Sequence, residues 1–319
     1  MANLSAGANT GQPTKTFPRG PFGLTGPQRR EIKAFLKALL YLSPALIIFA
    51  AFVFIPLIQS IRLSTFLTDP LGRPVKFVGL LQYQRLFAND LFLNCLKRSV
   101  LFVLYTVPTT LALSMILALL GNLRLRRIDL FRMIFSITIA ISGATAALIF
   151  SYLYSPSLGW FNYLLSLIGI DPVPWLINER TALPAVALTT VWLQLGLNTV
   201  ILLAGMQGIP EELYESAMID GASAWSKFRH ITLPLLSPTL FFLLIVDTLA
   251  AFQTFTQIHV MTSGGPVDST NVLVFLIYRE FYFNGKYGFA ASQSMMHFVI
   301  ILALTIVQFG VVEKRVHYD

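Results

Sequence analysis

The chain has 319 residues, 55% of them hydrophobic and only 12% charged, with a mean hydropathy of +0.69. A soluble domain carries about 25% charged residues, so this composition excludes an ordinary soluble globule and points to a polytopic membrane protein. The net charge of +8 does not mark a nucleic-acid binder, because the bases lie beside apolar runs and form no stripe with interleaved aromatics.

Residues 1–34 are rich in Gly, Pro, Ser and Thr and hold Lys15, Arg19, Arg29, Arg30 and Lys33. Such a segment cannot bury apolar area and reads as a disordered tail. The first apolar run starts too late, and is too long, for a cleavable signal. Residues 35–319 read as one helical membrane domain. About 20 apolar residues cross the hydrocarbon core as a helix, and windows of that kind predict six spans, near 38–61, 99–123, 133–154, 184–206, 238–261 and 289–312. Pro156 and Gly159 close the third, Pro184 opens the fourth, and Ser237-Pro238 supplies an N-cap and first-turn proline for the fifth. Cys95 is the single cysteine, which leaves no intrachain disulfide and no Cys-based zinc cluster. It reads as a packing residue.

With the N-terminus inside, the inner segments carry 14 Lys plus Arg and the outer segments 9. Arg124, Arg126, Arg127 and Arg132 in one short loop are the clearest local signal. The positive-inside rule thus puts both termini, and the loop 208–237, in the cytoplasm.

That loop is the most informative stretch. Pro210, Glu211 and Glu212 form a helix start, with proline in the first turn and acids at the positive end of the dipole. Asp220-Gly221 is a turn signal. A second helix is predicted over 222–230, with Trp225, Phe228 and Ile231 three apart, ended by Pro234. From the residues alone this is either a knob that fills a groove on a partner or an amphipathic connector lying in the headgroups.

The spacing of Glu215, Ser216, Ala217, Gly221 and the run Ile231-Thr232-Leu233-Pro234 resembles the "EAA" loop of ABC-importer permeases, with Ser216 in place of the common Ala. Val78, Gly79, Leu80 and Tyr83 resemble a "vGLxNY" signature of carbohydrate-importer permeases, with Gln82 where Asn is usual. Thr262, Gly264, Gly265, Pro266 and Thr270 resemble a "TxGGPxxxT" pattern, and Tyr287, Gly288, Phe289 and Ala290 a "yGyA" entry to the last span. The chain is therefore identified as a member of the maltose-permease-like, sugar and glycerol-phosphate subgroup. The resemblance covers about residues 36–315, and a core permease region about 95–312.

The resemblance implies an all-α integral membrane protein with six transmembrane helices in the type I ABC importer permease fold. It implies a second homologous permease subunit, two ATP-binding cassette subunits that hold ATP and Mg, and an extracellular solute-binding protein. It further implies that Glu215, Ser216, Ala217, Asp220, Gly221, Ala222, Phe228, Ile231, Leu233 and Pro234 couple to the ATPase. The chain has no G-x-x-x-x-G-K-[ST] run, so the expectation is a non-enzymatic transport subunit without a nucleotide site, a cofactor or a metal of its own.

Polar groups inside the bilayer mark the candidate solute pathway, since a central Asp costs about 2.5–3.5 kcal/mol on insertion scales. On a continuous fifth helix Asp247, Ala250, Ala251, Gln253, Thr254 and Gln257 fall within about 160° of arc. The alternative for Asp247 is hydrogen bonding between helices. Gln293, Ser294 and His297 in the sixth span, and Gln194 and Asn198 in the fourth, extend the set. Trp192 is a packing residue or a stacking surface for a sugar ring. Amides, hydroxyls and one carboxylate suit a neutral sugar, oligosaccharide or glycoside; glycerol-3-phosphate or another polyol phosphate, the alternative, would more naturally meet Arg or Lys. An intramembrane enzyme lacks its motifs here, with no HExxH and no G-x-S-x-G. A stand-alone secondary transporter would leave the 208–237 loop without a purpose.

Overall fold

The computed structural model describes residues 26–123 and 126–313. Most of the expected tail, with Arg124, Lys314 and Arg315, lies outside them. Helix α1 (Gly26–Phe49) begins inside the stretch 1–34.

Two compact units divide the chain at Gln59/Ser60. The first holds α1, which passes through a π-helical turn (Ala50–Phe54) into α2 (Ile55–Leu63), and the boundary falls within α2. The continuous Lys33–Leu63 stretch is long and apolar enough to cross a membrane.

After the end of α2 the second unit continues with a hairpin of β1 (Phe66–Thr68) and β2 (Pro74–Phe77), paired antiparallel with Phe66 opposite Phe77. The Asp69 carboxylate accepts from the amides of Leu71 and Arg73 and closes its turn. Then come α3 (Leu81–Phe87) and α4 (Asp90–Gly121). Helix α4 starts nine residues before the span predicted at 99. Lys97 and Arg98 hid that start from a hydropathy window, whereas Asn89 caps it by accepting from the amides of Leu91 and Phe92.

The third expected span is broken. It consists of α5 (Ile128–Ser136), a 3-10 turn (Ile137–Ala140) and α6 (Gly143–Leu153), bent by 105°. Ser142 caps α6 through the Thr145 amide, and Gly143 follows it, so the sequence restarts the helix here. A short α7 (Trp160–Leu167) leads to α8 (Glu179–Gln207), which Asn178 caps five residues ahead of the predicted Pro184 start.

The 208–237 segment contains α9 (Glu211–Ile219), α10 (Ala224–Lys227), a π turn (Phe228–Thr232) and α11 (Leu233–Leu235). Pro234 does not end the helix as expected. The wider π turn precedes it and absorbs the missing N–H, and helix continues into α11. A 66° bend then separates this stretch from α12 (Ser237–Phe252). Leu236, not Ser237, stands at the cap position of α12.

The fifth span is not one helix to 261. Helix α12 stops at Phe252, and α13 (Thr256–Met261) resumes after three residues. No Gly or Pro marks this break. The Thr254 hydroxyl donates to the Ala250 carbonyl at 3.0 Å, a back-bond that competes with the helical ladder and bends helices. Helices α14 (Leu273–Tyr282) and α15 (Tyr287–Val307), the latter with a terminal π turn (Gln308–Val312), complete the chain.

Among the described residues four helices are singly long and apolar enough to span, and the two bent pairs raise the number to six. Helices α4 and α8 form the most extensive pair. Small side chains allow it: Ala182, Ala185, Ala187, Thr189 and Thr190 of α8 and Thr106, Thr110 and Ser114 of α4 are all buried, as expected where apolar solvent gives no drive for helices to associate and close packing must supply it.

Candidate functional site

The polar layer begins at Asp247. Both it and Asn198 are 2% exposed, and the Asn198 Nδ2 donates to Asp247 Oδ2 at 2.6 Å. The bond ties α12 to α8 in mid-span. One residue on, Thr248 Oγ1 accepts from the Gln308 amide at 3.0 Å and ties α12 to the end of α15. Hydropathy alone passed over Gln308 and Thr248. The legible signal was a lone amide in the apolar run that closes the last span.

The break after Phe252 redistributes the rest of the predicted face. Gln253 is exposed and Gln257 half-buried, whereas Thr254 is buried. Gln293 is 1% exposed, and its Oε1 has no hydrogen-bond partner among the described residues; neither do the two ring nitrogens of His297. Ser294 is half-buried and donates to the Ala290 carbonyl. His297 lies 6.2 Å from the Phe252 ring, centre to centre. Gln194 meets Thr110 of α4 at 3.5 Å. Trp192 packs at 5.2 Å against Phe150 in the apolar core, which makes it a packing residue. The eight predicted polar positions thus separate. Asp247 and Asn198 satisfy each other, Thr254 and Ser294 bond to their own helix, and Gln253, Gln257, Gln293 and His297 keep polar atoms to offer.

The second element is the knob between α8 and α12. Gly221 has φ +73°, and nothing lies within 4 Å of where a Cβ would stand. The glycine is needed for its backbone conformation, which costs other residues about 1–2 kcal/mol. Ser223 then caps α10 through the Ser226 amide at 3.2 Å. The tip is exposed and carries apolar side chains outside any span: Met218, Ile219 at 87% and Trp225 at 68%. Glu215, Ser216 and Asp220 are exposed beside them, with Ala217 and Ala222 half-buried.

The base of the knob is anchored. The hydroxyls of Tyr214 and Thr232 meet at 2.9 Å. Phe228 and Leu233 pack on the buried group of Met115, Leu202, Leu203, Met206 and Leu236. A Cβ on Gly205 would crowd Leu236 and Thr239, so α8 and the start of α12 are in close contact directly beneath the loop. Of the predicted loop residues, Glu215, Ser216, Asp220 and Gly221 are free to meet a partner, while Phe228, Ile231, Leu233 and Pro234 sit half-buried at the root.

Residues 77–317 match the family model described as binding-protein-dependent transport system inner membrane component. The chain is 36% identical over 282 residues to the sn-glycerol-3-phosphate transport system permease protein UgpA of Agrobacterium fabrum, covering 88% of this chain and 95% of that protein. It is 34% identical over 280 residues to UgpA of Rhizobium meliloti, with the same coverage. Two solved structures share the fold. One is a bacterial ABC transporter involved in import of the acidic polysaccharide alginate (TM-score 0.74, 23% identity, 89% of this chain and 98% of that one). The other is the alginate transporter in complex with an alginate pentasaccharide-bound periplasmic protein (TM-score 0.76, 24% identity, 88% and 94%). The helical membrane architecture is therefore the type I importer permease fold, and this chain belongs to the family of inner membrane components of binding-protein-dependent transport systems.

Proposed function

We propose that this chain is one of two homologous permease subunits that together pass a polyhydroxylated solute, a sugar, oligosaccharide or glycoside, from an extracellular binding protein into the cell. Two separate ATPase subunits, holding ATP and Mg, dock on the knob of Glu215, Ser216, Asp220, Gly221, Ile219 and Trp225. Both termini and this knob lie on the cytoplasmic side. The chain performs no chemistry itself. Closure of the ATPases on ATP pushes the knob, and because the knob is rooted on α8 and α12, the push reaches the mid-membrane polar layer.

The observation that carries the solute class is the chemistry of that layer. Gln253, Gln257, Gln293 and His297 offer uncharged donors and acceptors, and buried polar atoms such as Gln293 Oε1 and the His297 nitrogens call for a partner. Neither α12, α13 nor α15 contains a Lys or Arg, the groups that best match a phosphate. A second reading, glycerol-3-phosphate or another polyol phosphate, is favoured by the 36% identity to UgpA over nearly its whole length; its phosphate would be met by the second permease subunit. Calorimetry of the cognate binding protein across sugars, glycosides and sugar phosphates, followed by uptake of each binder, separates the two. A neutral sugar taken up with no phosphate ester bound supports the first reading, and the reverse pattern supports the second.

A further inference from the structure

Two of the short signatures, 78–83 before α4 and 287–290 at the start of α15, meet at one place. Gln82 donates its amide to the carbonyls of Ser64 at 3.0 Å and Phe66 at 2.7 Å, and the Tyr83 hydroxyl donates to Ser64 Oγ at 2.7 Å. The Gly288 amide donates to Thr68 Oγ1 at 3.2 Å, and a Cβ there would overlap the Phe66 carbonyl. Hairpin, α3 and the start of α15 are thereby stitched together around a cleft of about 460 Å3, whose polar lining includes Gln82, Arg85, Asn89, Asn284 and Lys286.

Three nearby acids already have partners, while Asp90 at the start of α4 is exposed. Asp69 closes the hairpin turn, Asp268 is held by Arg279 at 2.7 Å, and Glu280 faces Lys286 at 3.4 Å. Arg85 is exposed and has no carboxylate partner among the described residues. Asn89 spends its Oδ1 on capping α4 and keeps its Nδ2 as a donor. The wider segment 62–98 carries six Lys or Arg against two Asp. On the outer side of the membrane such an excess runs against the usual bias and needs a reason in function.

We propose that this cleft is a socket for an acidic side chain presented by the solute-binding protein, with its carboxylate on the Arg85 guanidinium and the amides of Asn89 and Asn284 as neutral donors. A planar guanidinium holds a carboxylate by two parallel bonds. Lys286, half-compensated by Glu280, adds to the positive field that steers an acidic surface in, an effect felt most at low salt. The inference rests on the importer reading and its orientation.

The test uses the assembled transporter in lipid nanodiscs and the loaded binding protein, with Kd measured at several ionic strengths. Arg85→Glu is expected to weaken binding about tenfold or more at low salt and to flatten the salt dependence. Arg85→Gln, which preserves shape, is expected to give a smaller loss in the same direction and stands in where the reversal does not assemble. Reversal of one acidic residue on the binding protein to Lys should restore affinity for the Arg85→Glu complex. Unchanged Kd at low salt in both variants overturns the socket. So does an unchanged Kd with a raised uptake KM at saturating binding protein, which would make the cleft a site for an anionic solute itself. A wild-type complex that no binding protein engages overturns the importer reading, and the socket with it.

Discussion

Asp247 of α12 and Asn198 of α8 are joined at 2.6 Å, in the middle of the two helices whose shared end carries the knob. Below this bond, Gly205 of α8 closes on Leu236 and Thr239, and below that the hydroxyls of Tyr214 and Thr232 meet. In the proposed mechanism, two helices fastened at these successive levels act as one lever, which would carry a displacement of the knob to the membrane centre. The bond also gives the buried Asp247 carboxyl a hydrogen-bond partner, which offsets part of the cost of taking it out of water.

Asn198→Ala should therefore cost about 0.6–2 kcal/mol, the range of interhelical hydrogen bonds in membranes, and should uncouple ATP hydrolysis from uptake. The exchange Asn198→Asp with Asp247→Asn keeps the pair and should recover both. Thermal stability in detergent and the ratio of ATP hydrolysed to solute imported read the two effects separately. Equal behaviour of the single and exchanged variants would remove the lever.

For the knob, Gly221→Arg places a side chain on a backbone at φ +73°, and Glu215→Lys reverses an exposed charge. Each is expected to abolish uptake and reduce co-purification with the ATPase subunits while leaving membrane insertion intact. Pull-down and membrane fractionation give the answer. Normal ATPase association with normal transport would contradict docking at this loop.

Much of this architecture is legible in the sequence because bilayer thickness and backbone hydrogen bonding leave few solutions. The polar loop, its glycine turn and its acidic helix start are local signals, and they survive in the structure. What was misplaced depends on tertiary contacts. The α12 break at Gln253 has no Gly or Pro to announce it, and Lys97 and Arg98 mask the first two turns of α4. Asp247 and Asn198 were each visible as intramembrane polar residues. That they bond to each other depends on the α8–α12 crossing, and the exposure of Gln253 on the break after Phe252; no periodicity encodes either.

The close α8 contacts give a packing prediction. Gly205→Leu would drive a side chain into Leu236 and Thr239, and overpacking of this kind costs about 1–3 kcal/mol. Gly196→Ala would displace Thr138, whose hydroxyl accepts from the Gly196 amide at 3.1 Å. Both variants should lower the melting temperature of the purified complex, with no gain in activity. An unshifted melting curve would mean that α8 is not held this closely against Leu236 and Thr239 or against Thr138.

Gln257→Leu removes a half-buried amide that lies beside Gly143 of α6, and Gln253→Leu removes an exposed one. In the proposed pathway each is expected to raise the uptake KM severalfold while the binding protein's own affinity for solute, measured by calorimetry, is unchanged. If KM stays put in the double variant, the solute path runs elsewhere.

The central claim is that this subunit moves solute only when driven from its cytoplasmic knob by a separate ATPase. The most direct measurement is uptake into proteoliposomes of solute presented by the binding protein, with and without ATP, for the full complex and for this chain alone. The account predicts uptake only for the full complex with both ATP and binding protein present, and none with the Glu215→Lys chain. Solute accumulation by this chain alone, without ATPase or ATP, would contradict it.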